Sequence, residues 1–291
     1  MPEVDPASPV PPSNAVAQDS FLDEFFQPKF TVVTVTYNAE KTLERTIQSV
    51  AAQTYRNIEH LIVDGLSTDG TLSLIQEYAE ENSVQSNPHD IKLIREVDNG
   101  LYDAMNKAID NASGDYLVFL NAGDTFHSAV TIERVVDDVL SLDRSDGEQA
   151  MWPAVLYGET DLVDNEGNFL RHRRLQTPGQ LKWTSFKSGM LVCHQSFYVL
   201  SELARNHHYD LKYRFSADFD WCIRIMKDAH SRGLLLHNTR MVLTDYLSEG
   251  MTTKNRRKSL LERFRIMARH YGYFSTVCQH LWFVWRAVVM R

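Results

Sequence analysis

Three aspartates, Asp64, Asp98 and Asp124, stand where an apolar run of the chain gives way to a polar turn. Carboxylates so placed face a ligand crevice, because open α/β sheets bind their ligands beyond the carboxyl ends of the strands. A carboxylate repels phosphate, and the glycine patterns that cradle phosphate, GxGxxG and GxxxxGK[ST], follow none of the predicted strands. Acidic turns can approach a diphosphate only with a divalent cation between them. Asp124, with the small residues Ala122 and Gly123 beside it, is the candidate for holding one. A fourth carboxylate, Asp218, falls in the first turn of a predicted helix over Ala217 to Ala229, where a negative charge favours the helix dipole, and Asp220 stands two residues on.

The elements that must position these groups follow from periodicity. Phe30 to Asn38 and Leu61 to Thr71 read as buried strands running into turns, and Lys41 to Gln53 between them carries Leu43, Ile47 and Val50 at helical spacing. Strand, helix and strand in that order make a parallel crossover. Thr71 to Glu80 repeats the helical pattern with Leu72, Ile75 and Tyr78, and Ile91 to Arg95 is a short strand. An Asn99-Gly100 turn then opens a helix with Leu101, Met105 and Ile109, and Tyr116 to Leu120 is a further strand ending at Asn121-Ala122-Gly123-Asp124. The alternation predicts a mainly parallel, Rossmann-like sheet to about Leu142. Beyond it, Ala154 to Tyr157 reads as a strand and Asp161 to His172 as a hairpin, with Lys187 to Gln195 a loop before the apolar Phe197 to Leu200.

Composition sets the class. With 291 residues, 43% of them hydrophobic, the chain can bury a large core, and its net charge of −8 argues against nucleic acid as a partner. Cys193, Cys222 and Cys278 are an odd number without CxxC spacing, which fits a reducing, cytoplasmic compartment. Pro2, Pro6, Pro9, Pro11, Pro12 and Pro28 mark residues 1–28 as an extended or disordered arm with no signal-peptide pattern.

Two runs, TVTYNAEKTLERTIQSVAAQTYRNIEHLIVDGLSTDGT and DNGLYDAMNKAIDNASGDYLVFLNAGD, closely resemble the inverting family 2 glycosyltransferases, with the second most similar to enzymes that build bacterial exopolysaccharide of the colanic acid type. The resemblance implies an α/β GT-A fold over residues 29–250 and a basic, aromatic helical extension over 251–291. It also implies a UDP- or GDP-sugar donor, a glycan or lipid-linked acceptor, and a divalent metal, Mn2+ or Mg2+. Carried over by position, it puts Thr36, Tyr37, Asn38, Asp64, Asp98, Asn106 and Asn121 on the donor side. It puts Asp124 on the metal, His194 and Gln195 on the acceptor side, Asp218 as general base, and Gly250-Met251-Thr252 over the diphosphate.

The chain departs from the family pattern at four points. Asn121 and Gly123 stand where relatives carry metal-binding aspartates, Ala217 where many carry glutamate, and Met105 where many carry an arginine that neutralises donor phosphate. That charge must come from a helix start, the cation or another basic residue. Two further roles stay open on the residues alone: Asp64 before Ser67, Thr68 and Asp69 suits a turn or cap, and His194 suits a packed loop.

Rival functions are a sugar nucleotidyltransferase, which would want a Gly/Arg/Lys-rich phosphate loop after the first strand, and an inactive protein of the same fold. Finally, Gly272 to Met290 is rich in Val, Phe and Trp and follows a cluster of Lys and Arg between 254 and 269. It is too short and interrupted to span a bilayer, and suits either peripheral contact with the inner face of an anionic membrane or packing on the catalytic domain.

Overall fold

The computed structural model of the protein describes residues 27–86, 88–142, 152–248 and 255–289. Most of the predicted N-terminal arm, the 250/251 domain boundary and the Gly250-Met251-Thr252 loop lie outside these residues. The first half alternates as expected: β1 (Phe30–Thr36), α1 (Glu40–Ala51), β2 (Ile58–Asp64), α2 (Thr71–Ser83), β3 (Asp90–Arg95), α3 (Leu101–Asn111), β4 (Tyr116–Phe119), β5 (Thr125–Phe126) and α4 (Thr131–Leu140). The second half supplies β6 (Val155–Val163), β7 (Phe169–His172), β8 (Phe197–Leu200), α5 (Ser201–Asn206), α6 (Ala217–Ser231), β9 (Leu236–Leu247), α7 (Arg256–Tyr271) and α8 (Tyr273–Val289).

One nine-stranded sheet joins them in the order β3-β2-β1-β4-β8-β6-β9-β5, with β7 paired to β6. Pairing is parallel from β3 through β4, as the crossovers predict, and becomes mixed where β8 meets both β4 and β6 antiparallel. Every residue of β1 and of β2 is buried, which is what strands covered by helices on both faces require. Alternation sorts their side chains: Val33, Val35, Leu61 and Val63 pack with α3 and α6, whereas Val32 packs towards α4 and Ile62 towards α1 and α2.

The strand β9 has no counterpart in the sequence reading. Thr239 and Thr244 are buried, and Arg240 takes φ +55, so apolar alternation is broken on both faces.

At the far end, α7 is fastened to the start of α6. Glu262 accepts hydrogen bonds from the backbone N–H groups of Arg214 and Phe215 at 2.9 and 2.8 Å, and Ser259 pairs with Ser216 at 2.8 Å. His270 reaches Asp220 at 2.7 Å, and Tyr271 stacks on Trp183 with ring centroids 5.6 Å apart. The C-terminal segment therefore packs on α6 and Trp183 through α7, while α8 leaves Phe274, Leu281 and Trp285 more than half exposed.

Candidate active site

A cleft of about 680 Å3 opens beyond the carboxyl ends of β1, β3 and β4. Thr36 and Tyr37 line it from β1, Asp98 from the turn after β3, and Asn121 and Asp124 from the turn after β4. His194 and Gln195 line it from the loop before β8, and Asp218 from the first turn of α6. Eight of the residues singled out from sequence thus share one cavity.

Asp124 is the best held of them. Its turn is fixed by α1, since Thr46 Oγ1 accepts from the Gly123 N–H and donates to the Asp124 carbonyl, each at 2.8 Å. Gly123 has φ +106, a backbone state that glycine adopts without a Cβ penalty. The carboxylate accepts from Gln195 Nε2 at 2.8 Å and from the Leu247 N–H at 3.0 Å. Burial pushes its pKa up to about 7, against the pull of those two donors and of Arg45.

Asp218 lines the same cleft from the first turn of α6. Tyr102 Oη donates to its Oδ1 at 3.0 Å, and His194 Nδ1 lies 3.6 Å from its Oδ2. Burial, with the charge of Arg173 adding to it, pushes His194 below the usual imidazole range despite the nearby carboxylate, so the ring is neutral at pH 7. Beneath α6, Trp221 is fully buried, stacks on Tyr209 at 4.9 Å and meets Phe119 edge-on at 5.7 Å, which fixes the helix relative to β4. Asp220 turns the other way: it is fully buried and bonded to Arg224 at 2.6 Å and to His270.

Three expected donor-side residues do not line the cleft. Asp64 is fully buried, accepting from both the N–H and the hydroxyl of Ser67 and from Arg95 Nε at 3.3 Å. Asn38, at φ +48, accepts from the Thr68 N–H at 2.9 Å and latches the β1 and β2 turns together. Asn106 exchanges two hydrogen bonds with the backbone of Tyr209 at 3.0 and 2.7 Å and holds the segment before α6.

Met105 is fully buried in the core and gives the cleft no charge. Two arginines line it instead. Arg173, just after β7, donates to the carbonyls of Met190, Leu191 and Leu175 and lines the cleft. Arg263, from α7, lies over the Phe219 ring at 5.8 Å and lines the cleft near Tyr102, whose pKa it draws down against burial. Nothing in the basic run marks Arg263 rather than its neighbours; only the helical phase of α7 against α6 selects it.

Four cleft residues carry a buried polar atom without a hydrogen-bond partner: Thr36 Oγ1, Asn121 Oδ1, His194 Nε2 and Arg263 Nε. Such atoms are costly unless a ligand satisfies them, which marks the wall as one that receives a polar molecule.

Residues 31–199 match the family model "Glycosyl transferase family 2". A PGL/p-HBAD biosynthesis glycosyltransferase of Mycobacterium bovis is 30% identical over 268 residues, covering 91% of this chain and 95% of that one. Among solved structures, S. aureus TarS 1-349 in complex with UDP aligns with a TM-score of 0.60 at 16% identity, over 82% of this chain and 64% of that one. The mannosyltransferase PcManGT of Pyrobaculum calidifontis, solved with GDP-Man and Mn2+, aligns at 0.54 and 16%, over 91% and 76%. A helix-flanked sheet with its cleft at the strand ends, a family match over most of that sheet and a relative matched along nearly its whole length agree: the chain belongs to glycosyl transferase family 2 and is a glycosyltransferase of GT-A fold.

Proposed function

We propose that the protein transfers a sugar, with inversion at the anomeric carbon, from a UDP- or GDP-sugar to a glycan or lipid-linked saccharide in bacterial surface polysaccharide synthesis. The observation that carries this reading is that Asp124 and Asp218 line one cleft, each beside one of the adjacent residues Gln195 and His194. Inversion needs the acceptor oxygen to arrive opposite the leaving nucleotide, so the two carboxylates take separate tasks.

Asp218 is the general base. Tyr102 donates a hydrogen bond to one of its oxygens, and His194 Nδ1 lies 3.6 Å from the other. It takes the acceptor proton as bond formation acidifies the hydroxyl. Tyr37 and Asp98 border the donor side, and Arg263 and Arg173 place positive charge beside the diphosphate.

Asp124 would hold a divalent ion together with Asn121. The fit is chemical: a buried carboxylate whose pKa is pushed up to about 7 is short of positive charge, and Asn121 Oδ1 is an unpartnered oxygen on the same cleft. Oxygen ligands of this kind suit Mn2+ or Mg2+. When bound, such an ion supplies Lewis-acid stabilisation of the departing diphosphate. The Mn2+ and GDP-Man of the mannosyltransferase and the UDP of TarS support this donor and ion class.

The same reading places the acceptor at a membrane surface. No helix among the described residues is long and apolar enough to cross a bilayer, but α8 exposes Phe274, Leu281 and Trp285 next to the basic α7. Flotation with phosphatidylglycerol vesicles is expected to carry the protein up, and failure to float would remove this part. The enzymatic core is tested by incubating the protein with a panel of UDP- and GDP-sugars and acceptor glycans. Release of nucleoside diphosphate is expected; release of pyrophosphate, or of neither, overturns the reading.

A further inference from the structure

On the sheet face opposite the cleft, four side chains from neighbouring strands converge. Thr160 and Leu162 of β6 line the cleft, so strand alternation turns Asp161 to the other face. On β9, Tyr246 lines the cleft and Asp245 before it turns away in the same sense. The parallel register sets Asp161 directly beside Asp245. His127, just past β5, places Nδ1 at 2.8 Å from Asp245 Oδ1, and His172 of β7 places Nδ1 at 2.7 Å from Asp161 Oδ1. One ligand atom from each of His127, Asp161 and Asp245 lies within 4.8 Å of the others.

Two surface His-Asp pairs would account for each histidine alone. They do not account for two carboxylates side by side in register, one of them with only 7% of its side chain exposed. Like charges directly across a strand pair repel, and burial sharpens the repulsion. The imidazole nitrogens and carboxylate oxygens gathered here are donor atoms of the kind that ligate a cation.

We infer that His127, Asp161 and Asp245 form a second divalent-metal site, of the Zn2+ class, separate from the cleft and independent of the reaction proposed for it. One imidazole nitrogen and two carboxylate oxygens suit a borderline ion, whereas Mg2+ and Ca2+ prefer oxygen alone. Tetrahedral ligands roughly 2.0–2.1 Å from zinc stand about 3.3 Å apart, a spacing these side chains reach with small rotations. His172 orients the Asp161 carboxylate, as partners of metal-bound carboxylates commonly do, and water takes the fourth position. His127 is 45% exposed, so an ion has an open path in.

The consequence is mechanical. The site bridges β5, β6 and β9 just outside the Asp124 turn, and Leu247, whose N–H binds Asp124, follows Asp245 closely on β9. A bound ion clips the wall that supports that carboxylate.

The experiment uses the full-length Asp124→Asn protein, stripped with chelator, so that the cleft ligand is removed. Calorimetry with ZnCl2 is expected to show one site per chain, and Co2+ to give visible absorption bands of a four-coordinate ion. At about a hundredfold excess over Kd, Zn2+ raises the melting temperature by roughly 5 °C or more. His127→Ala and Asp245→Asn, both at partly exposed positions, should each weaken binding about 100-fold, and His172→Ala about 10-fold. Absence of Zn2+ binding in the Asp124→Asn protein, or Zn2+ binding left unchanged in His127→Ala, overturns the site.

Discussion

Nε2 of Gln195 donates a 2.8 Å hydrogen bond to Oδ2 of Asp124, although the two lie 71 residues apart. The residue next to it, His194, faces Asp218. One short loop before β8 therefore sets the separation of the two carboxylates, and a shift of that loop moves both.

Replacing Asp218 with Asn keeps the shape and removes the carboxylate proposed as proton acceptor. Turnover is expected to fall about 10²- to 10⁴-fold while nucleotide still raises the melting temperature as it does in the unaltered protein. Turnover near the original rate would reject Asp218 as base.

Arg263→Ala removes the cleft-facing cation brought by α7. kcat/KM for the donor should drop roughly 10- to 100-fold, with Arg263→Lys recovering part of it because a point charge replaces the planar fork. Equal kinetics in all three proteins would show that the guanidinium faces no phosphate.

Gly65 lies under Asp98 and Tyr37: a Cβ there would collide with the Asp98 carboxylate and come within 3.3 Å of the Tyr37 ring. Gly65→Ala is expected to raise the donor KM several-fold with a melting temperature almost unchanged, since the displaced group is a side-chain end at the cleft. A large loss of stability with an unaltered KM would place Asp98 outside donor binding.

His60 gives the fold an acid sensitivity. It is fully buried between Thr34 Oγ1 and Tyr78 Oη, each 3.0 Å away, and burial, with a smaller push from His89, lowers its pKa to about 3. The folded state thus refuses a proton that the unfolded chain accepts near pH ~6.5. The stability this gives is complete above pH ~6.5 and is lost as pH falls towards the folded value, at about 1.4 kcal/mol per pH unit. Denaturant titrations at several pH values between these limits should show that slope reduced by this amount in His60→Gln. An identical slope would mean the buried ring takes up a proton freely.

Much of this was legible from the residue order. The parallel half of the sheet follows from β-branched runs alternating with helical spacing. Asp98, Asp124 and Asp218 stand at strand and helix ends, where turn chemistry marks them. What stayed hidden is which atoms each side chain spends on its neighbours. Asp64 has the same residue type and strand-end position as Asp124, yet it is fully buried against Ser67 and Arg95 and does not line the cleft. Asn106 likewise spends both ends of its amide on Tyr209. Arg263 was one cation among several, distinguished only by helix packing. The Asp161 and Asp245 pair depends on a register between strands more than eighty residues apart, which local patterning cannot reveal.

Arg263 lies beyond residues 31–199, the segment that matches the family. A chimera that exchanged only that segment between relatives would inherit one electrostatic wall of the cavity and keep the host's other wall. A relative cut short before α7 would look whole by its signature yet lack a cation where the reaction is proposed to occur.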